Sequence, residues 1–174
     1  KYVKIEDLSD PGAGDGADID AVELRKDAGS TWADSSISCK LPDGNDCPNP
    51  DEAVGASDAF CSDLTKCYSN FELDPEDDPL TLPPYSALGG TVESVAGTQI
   101  LMMAEKIENG DTLVVYEIGN CDVSEACEVT ETITAAPDSV RVSVATSADG
   151  PWIELLAASN TENHPDIEIE VTGL

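Results

Sequence analysis

Residues 166–174 read DIEIEVTGL, and the alternation in this stretch points to the fold class. Ile167, Ile169 and Val171 occupy every second position, and polar residues, most of them acidic, fill the places between them. Because successive side chains of a β-strand point to opposite faces, such a segment buries one face and exposes the other. The stretch therefore predicts a strand with its apolar face turned toward a core.

The same period of two recurs along the chain. Residues 139–147 read SVRVSVATS, with valine at alternate positions. Residues 111–119, DTLVVYEIG, are apolar on both faces, which predicts a strand buried on both sides. Residues 98–107, TQILMMAEKI, form a further apolar run. Short strands bounded by Gly, Asn, Asp and Pro are typical of an antiparallel β-sandwich, so we predict an all-β, jelly-roll-like fold.

One long segment departs from this pattern. Residues 28–88 lack a clear alternation and are rich in proline, aspartate and cysteine. A core formed by this segment alone would be too small to fold without disulfides. We therefore predict a single β-sandwich domain over residues 1–174, with residues 28–88 as a disulfide-rich loop insertion within it.

The charge of the chain limits its partners. Acidic residues outnumber basic ones by 36 to 8, which gives a net charge of −28. Such a chain repels nucleic acid and anionic membrane surfaces. Apolar residues make up 40% of the chain and fall in strand-length runs, which argues against disorder. No apolar run has the length of a membrane-spanning helix, so we expect neither nucleic-acid binding nor membrane insertion.

The cysteines indicate an oxidising compartment. The chain has six cysteines and one histidine, His164, and no CxxC pair occurs, so a zinc site is poorly supported. Three disulfides in a secreted or cell-surface protein explain the even number better. Sequence leaves the connectivity open, and short separations favour three local pairs. These pairs are Cys39–Cys47, Cys61–Cys67 and Cys121–Cys127.

Four blocks of the chain resemble a β-sandwich module of secreted bacterial cell-surface proteins. They are LGGTVESVAGTQILMMAEKIENGDTLVVYEIG at 88–119, RVSVATSADGPWIELL at 141–156, PDIEIEVTGL at 165–174 and KYVKIEDLSDPGAGDGADIDAVEL at 1–24. The block at residues 1–24 carries the acidic GDG-DIDAV loop of that module. The resemblance leaves out the cysteine-rich insertion, and it implies a fold and an extracellular location rather than an activity.

The order of these blocks differs from that of the module. The block with the acidic loop usually follows the TGL block, whereas here it stands first, as in a circular permutation. Either the chain closes on itself with its two ends side by side, or the strand of residues 1–8 completes the sandwich of the next subunit. In both arrangements Lys1 and Lys4 could pair with Glu168 and Glu170 across a shared edge.

The second arrangement is strand addition between chains, which generates a ring or an open filament. Its interface would combine Val3 and Ile5 of the donated strand with Ile167, Ile169 and Val171 of the acceptor. We predict a structural subunit of an extracellular filament or surface assembly, which polymerises head-to-tail with identical subunits. The alternative is a monomeric, calcium-dependent binding or adhesion module for a glycan or another surface protein.

The segment DPGAGDGADIDAV, residues 10–22, is the densest candidate site. Ca²⁺ takes oxygen ligands from carboxylates and carbonyls, which an acidic, glycine-rich loop provides. The candidate ligands are Asp15, Asp18 and Asp20, joined by Glu117, an acid inside an apolar strand. We predict Ca²⁺ as the cofactor, and the alternative is that backbone amides satisfy these carboxylates.

The remaining motifs do not indicate chemistry. The acidic stretch PDGNDCPNPDEA, residues 42–53, fits either a calcium-binding repeat or a cluster of Asx turns. The sequence contains no nucleophile motif, phosphate loop or dinucleotide loop, and a single histidine excludes most histidine-based acid–base schemes. We expect no enzymatic activity.

Overall fold

A computed structural model describes residues 1–9, 17–47, 49–57, 86–88, 91–92, 95–117, 120–123, 129–134, 139–157 and 166–174. These residues form twelve strands and one 3₁₀ turn, Pro50–Ala53. The strands are β1 (Tyr2–Asp7), β2 (Asp18–Lys26), β3 (Gly29–Lys40), β4 (Ser86–Ala87), β5 (Thr91–Val92), β6 (Val95–Met103), β7 (Thr112–Glu117), β8 (Asn120–Val123), β9 (Val129–Thr134), β10 (Val140–Ala145), β11 (Ile153–Leu156) and β12 (Asp166–Glu170).

Eight of these strands form one continuous antiparallel sheet in the order β11-β10-β1-β6-β3-β2-β7-β12. The short strands β4 and β5 pair with β2 and β6, and β8 and β9 form a separate hairpin. The two end strands, β11 and β12, lie close to each other, so the sheet is rolled like a barrel rather than divided into two clear layers. The predicted all-β, antiparallel fold is confirmed. The sheet is barrel-like, whereas the sequence predicted two clear layers.

The sheet bends at β3, which pairs with a different strand along each part of its length. Its first residues, Gly29–Trp32, pair with β2, and its later residues, Ala33–Lys40, pair with β6. The register with β6 shifts twice, between Ala33 and Ser35 and between Ser36 and Ser38. Such bulges bend a strand and increase its twist, which carries β3 from one half of the sheet to the other.

The predicted start of the insertion is therefore wrong. Gly29–Lys40 lies at the centre of the sheet, and the irregular segment begins after Lys40 rather than at residue 28. The two bulges break the period of two, and serines occupy much of the outer face, so the sequence of this strand resembles a loop.

The apolar core fills the inside of the rolled sheet. Along β6 the inward positions Gly97, Gln99, Leu101 and Met103 alternate with half-exposed residues. Burying each large apolar side chain stabilises the fold by about 1.5–3 kcal/mol. The largest fully buried apolar side chains are Val3, Ile5, Ile19, Val22, Leu24, Leu88, Leu101, Met103, Leu113 and Val114.

The N-terminal strand lies inside the sheet of its own chain. β1 pairs over six residues with β10 on one side and over six residues with β6 on the other. The predicted neighbour is therefore wrong: β12, with Ile167 and Ile169, pairs with β7. The predicted charge pairs are wrong for the same reason, since Lys4 lies 3.0 Å from Glu6 and Glu168 lies 2.5 Å from Arg25.

Both ends of the chain contact the connection between β6 and β7. The carbonyl of Lys1 accepts a 2.8 Å hydrogen bond from the amide of Met103. The amide of Leu174 donates to Oδ1 of Asn109 at 2.9 Å, and the amide of Gly110 donates to the carbonyl of Val171 at 2.9 Å. Within the described residues, no helix is long and apolar enough to cross a membrane.

Candidate functional site

Three buried carboxylates mark the end of the sheet that is remote from these contacts. Asp7 ends β1, Asp20 lies near the start of β2, and Glu117 ends β7. Their exposed fractions are 0%, 2% and 2%. A buried carboxylate is costly unless hydrogen bonds or a positive charge compensate it. We call the region formed by these three residues the acidic end.

Asp7 holds together the two sides of the acidic connection, residues 10–16. Its Oδ1 accepts hydrogen bonds from the amide of Ser9 at 2.9 Å and from the hydroxyl of Ser9 at 2.6 Å. Its Oδ2 accepts one from the amide of Ala17 at 2.6 Å. This carboxylate therefore fixes the last residues of β1 against the residue that precedes β2.

Asp20 and Glu117 lie on neighbouring strands. Ile19 pairs with Glu117 and Ala21 pairs with Tyr116, so the register shifts at Asp20. A bulge of this kind re-aims a side chain, and here it lies at a buried acid. The hydroxyl of Ser57 donates a hydrogen bond to Oδ2 of Asp20.

Ser57 belongs to a segment that covers this end of the sheet. We call residues 41–57 the strap. The disulfide Cys39–Cys47 closes its first part, with the two Cα atoms 5.3 Å apart. Its 3₁₀ turn packs against β2, β3 and β4, and the amide of Gly55 donates to the carbonyl of Ala33 at 3.1 Å. The strap thus brings Ser57 to Asp20 from a distant part of the sequence.

Gln99 anchors the strap from inside. It lies on the inner face of β6, is fully buried, and donates from Nε2 to the carbonyl of Pro50 at 2.8 Å. This role was not predicted from the sequence, because the residue lies within an apolar run. A glutamine at an inward position of such a run is the signal that could have indicated a buried polar contact.

The predicted metal ligands are only partly brought together. Asp20 and Glu117 lie on adjacent strands, whereas Asp15 falls outside the described residues and Asp18 is described by its backbone alone. Among the residues that the structure describes, no group of three or more His, Cys, Asp or Glu side chains is placed to hold a metal ion. Calcium binding at this end stays a prediction.

The disulfide prediction is confirmed for Cys39–Cys47. Cys61, Cys67 and Cys127 fall outside the described residues, and Cys121 lies on β8 with only its backbone described. The other two predicted pairs therefore stay predictions.

The acids of the strap make local contacts. The amide of Asn45 donates to Oδ1 of Asp43 at 2.9 Å, which is an Asx turn, and Asp46 forms a 2.5 Å ion pair with Lys40. These contacts match the turn interpretation of residues 42–53.

A second cluster, on the outer face of β2 and β7, was not found from sequence. Arg25 donates from Nε to Glu23 at 2.7 Å, from Nη1 to Glu168 at 2.5 Å and from Nη2 to the hydroxyl oxygen of Tyr116 at 2.9 Å. Tyr116 in turn donates to Glu23 at 2.8 Å. Its ring centroid lies 5.6 Å from that of Trp32. The spacing of Glu23 and Arg25, two apart on one strand face, is the only sequence signal for this cluster.

The contacts of this cluster shift three pKa values, and the hydrogen bond to Glu23 raises that of Arg25. Burial opposes the charge of Glu23, but hydrogen bonds from Ser30, Tyr116 and Arg25 hold the pKa of that carboxyl below its usual value. Burial, together with the hydrogen bond to Glu23, raises the pKa of Tyr116. Glu23 is therefore a buried, charged group on the outer side of the sheet, and Arg25 links it to β7 and β12.

The acidic end offers carboxylate, hydroxyl and carbonyl oxygens, the ligand types that hard cations prefer. It lies under a disulfide-closed strap, and a core of apolar residues supports it from the other side. Comparison with protein-family models, curated proteins and solved structures found no match to this chain.

Proposed function

We propose that the chain is a calcium-stabilised structural module of an extracellular surface protein and has no catalytic role. The observation that carries this proposal is the burial of Asp20 and Glu117 on neighbouring strands. A buried carboxylate is costly unless hydrogen bonds or a positive charge compensate it. A divalent cation shared by the two would supply such a charge beside the hydrogen bond that Asp20 accepts from Ser57.

The surroundings favour calcium as that cation. The net charge of −28 attracts cations to the whole surface, and a carboxylate-rich site suits Ca²⁺ better than softer metals. Extracellular modules bind Ca²⁺ with dissociation constants of about 10⁻⁴–10⁻³ M, a range that needs few charged ligands. The Cys39–Cys47 disulfide agrees with an oxidising, extracellular compartment.

The second candidate function is a calcium-dependent adhesion module for a glycan or another surface protein. The position of the acidic end favours it. Lys1 lies at the opposite end of β1 from Asp7, so a partner docked over the acidic end would leave the contacts of Lys1 intact. In this function the bound cation would hold in place the surface that the partner meets.

The test is calcium-dependent thermal unfolding of the whole chain. At a Ca²⁺ concentration 100 times the dissociation constant, binding to the folded state stabilises by about 2.7 kcal/mol, which raises the melting temperature by about 5–10 °C. Asp20→Asn with Glu117→Gln should remove this rise, whereas the control Glu168→Gln, at an exposed side chain, should keep it. Equal melting of the unmodified chain with Ca²⁺ and with a chelator would contradict the proposal.

A further inference from the structure

The turn before β7 carries an asparagine followed by a glycine. Residues 108–111 read ENGD, and no other asparagine of the sequence precedes a glycine. The amide of Asp111 donates to the carbonyl of Glu108 at 3.2 Å, which closes a four-residue turn. Gly110 is the third residue of this turn and has a φ of 92°, a conformation that favours glycine. The geometry of the turn therefore requires a glycine directly after Asn109.

An asparagine before a glycine can lose its side-chain amide without an enzyme. The backbone nitrogen of the glycine attacks Cγ of the asparagine, so that an N–Cγ bond forms and the Cγ–Nδ2 bond breaks. Nδ2 leaves as ammonia with the proton that the backbone nitrogen gives up, and a cyclic imide remains. Water then opens the imide to aspartate or isoaspartate. Glycine favours the attack because it has no side chain to shield its nitrogen and its backbone adopts many conformations.

Both groups that would react are held by the residues that follow β12. The amide of Gly110, which would supply the attacking nitrogen, donates to the carbonyl of Val171 at 2.9 Å. The side chain of Asn109 accepts from the amide of Leu174 at 2.9 Å and donates from Nδ2 to the backbone oxygen of Leu174 at 3.1 Å. Val171 is fully buried, and its own amide donates to the carbonyl of Asp111 at 2.9 Å. While these contacts last, they fix the proton on the nitrogen of Gly110 and the orientation of the Asn109 side chain.

We propose that Asn109 is a site of spontaneous deamidation, that its rate is set by the opening of residues 171–174, and that the product keeps this segment loosened. Aspartate at this position has no donor for the backbone oxygen of Leu174. Its carboxylate joins those of Glu108 and Asp111 in one turn, where like charges repel each other. Isoaspartate also lengthens the backbone of the turn. Among the described strands β12 pairs with β7 alone, so its end depends on these contacts, and the reaction converts a reversible opening into a lasting one.

The rate of deamidation of the whole chain tests the proposal. The chain is incubated in mildly alkaline buffer, and peptide mass spectrometry then separates the asparagine, aspartate and isoaspartate forms of the peptide that contains Asn109. The matched variants are Leu174→Pro, which removes the amide that donates to Asn109, and Leu174→Ala, which keeps it. Leu174 is 44% exposed, so both replacements lie outside the core. Loss of one hydrogen bond shifts an opening equilibrium by about 2–10-fold, and we expect Leu174→Pro to react faster by that factor. Leu174→Ala should react at the rate of the unmodified chain.

Two further measurements make the test independent of a single variant. Gly173→Ala places a side chain on a residue with a φ of 83°, which strains the backbone beside Leu174 and should also raise the rate. The unmodified chain should react about tenfold more slowly when folded than in denaturant, because only the open fraction reacts. Equal rates in these two states, or equal rates for Leu174→Pro and Leu174→Ala, would overturn control by residues 171–174.

The lasting effect of the product is measured by hydrogen exchange. Asn109→Asp reproduces the aspartate product, and we expect the amide of Val171 to exchange about 2–10 times faster in this variant than in the unmodified chain. The same amide in Leu174→Ala, which keeps Asn109, is the control and should exchange at the unmodified rate. Unchanged exchange at Val171 in Asn109→Asp would overturn the loosening of this segment by the product.

Discussion

Replacing Arg25 should lower the stability of the fold, although the residue lies on the outer face of the sheet. Its guanidinium connects three strands, because it donates to Glu23 on β2, Tyr116 on β7 and Glu168 on β12. We choose Arg25→Met, which keeps the length and the apolar packing of the side chain but removes the charge and the donors.

The two ion pairs of Arg25 differ in the free energy that they contribute. Glu168 has a side chain that is 61% exposed, and an ion pair there contributes about 0–1 kcal/mol. Glu23 is only 6% exposed, so removing its charged donor leaves a buried carboxylate poorly compensated. A hydrogen bond to a charged group contributes about 1.5–3 kcal/mol, and the partial exposure of Arg25 places this one at the low end. Together these contributions predict that Arg25→Met lowers the free energy of unfolding by about 2 kcal/mol, which is about a 30-fold change in the unfolding equilibrium.

The assay is equilibrium unfolding in urea at neutral pH, with a double-mutant cycle. Arg25→Met, Glu23→Gln and the double variant give the coupling energy between the two residues, which we expect to be about 1–2 kcal/mol. The matched cycle of Arg25→Met with Glu168→Gln should give less than about 0.5 kcal/mol. If the coupling to Glu168 equals or exceeds that to Glu23, burial does not decide the weight of these contacts and the reasoning is wrong.

The pH dependence gives a second readout. The pKa of Glu23 is held below its usual value of 4.5 in the folded chain. Its contribution is therefore present above the unfolded-state pKa and is lost as the pH falls through the folded-state pKa. The stability difference between the unmodified chain and Arg25→Met should be full at neutral pH and shrink as the pH falls below the usual glutamate pKa of 4.5. A difference that stays constant over this range would show that lost packing, not lost charge, causes the effect.

Two further predictions concern the strap and the inner face of β6. Replacing Cys39 and Cys47 by serine should lower the free energy of unfolding by about 2–3 kcal/mol, because the bridge closes a loop with a sequence separation of 8. Thermal unfolding measures this loss, and an unchanged melting temperature would contradict it. Gly97→Ala should cost more than about 2 kcal/mol, because the added Cβ would lie 1.8 Å from the carbonyl oxygen of Leu88. The control Val95→Ala, at a residue 54% exposed, should stay within about 0.5 kcal/mol.

The strands with a clean alternation could be predicted, and the one with bulges could not. β1, β10 and β12 each show a period of two in sequence, and each buries the face that the pattern indicates. β3 contains two bulges, so its inward residues fall out of phase and its twelve residues resemble a loop. A period of two reports which face is buried, and it is informative only where the register is unbroken.

Local sequence patterns do not show which strands pair with each other. β1 and β12 have the same alternation of apolar and charged residues, so either could pair with several partners. Block order and a possible charge pair favoured β1 beside β12, but one Lys–Glu pair contributes only about 0.2–1 kcal/mol. In the structure, twelve pairings with β6 and β10 and the burial of Val3 and Ile5 outweigh that contribution.

The acidic end was partly predictable because its acids break the strand rule. Asp7 and Glu117 occupy inward positions at the ends of β1 and β7, where the preceding inward residues are apolar. Asp20 lies at a bulge. Asp7, Ser57 and Gln99 were missed. A serine in a loop carries no signal, and an inward glutamine indicates a buried polar contact without indicating its partner in the strap.

This arrangement separates the apolar residues that stabilise the fold from the acids that we propose to bind calcium. The core of the rolled sheet is apolar, and the Cys39–Cys47 bridge constrains the strap independently of the acids. An acid at an inward position stabilises the fold less than an apolar residue would at the same place. Such departures from the strand pattern are typical of functional sites. Amide variants at Asp20 and Glu117 should therefore fold at least as well as the unmodified chain without calcium, and lose only the response to it. A binding site that can be altered without unfolding the module is what the calcium proposal requires.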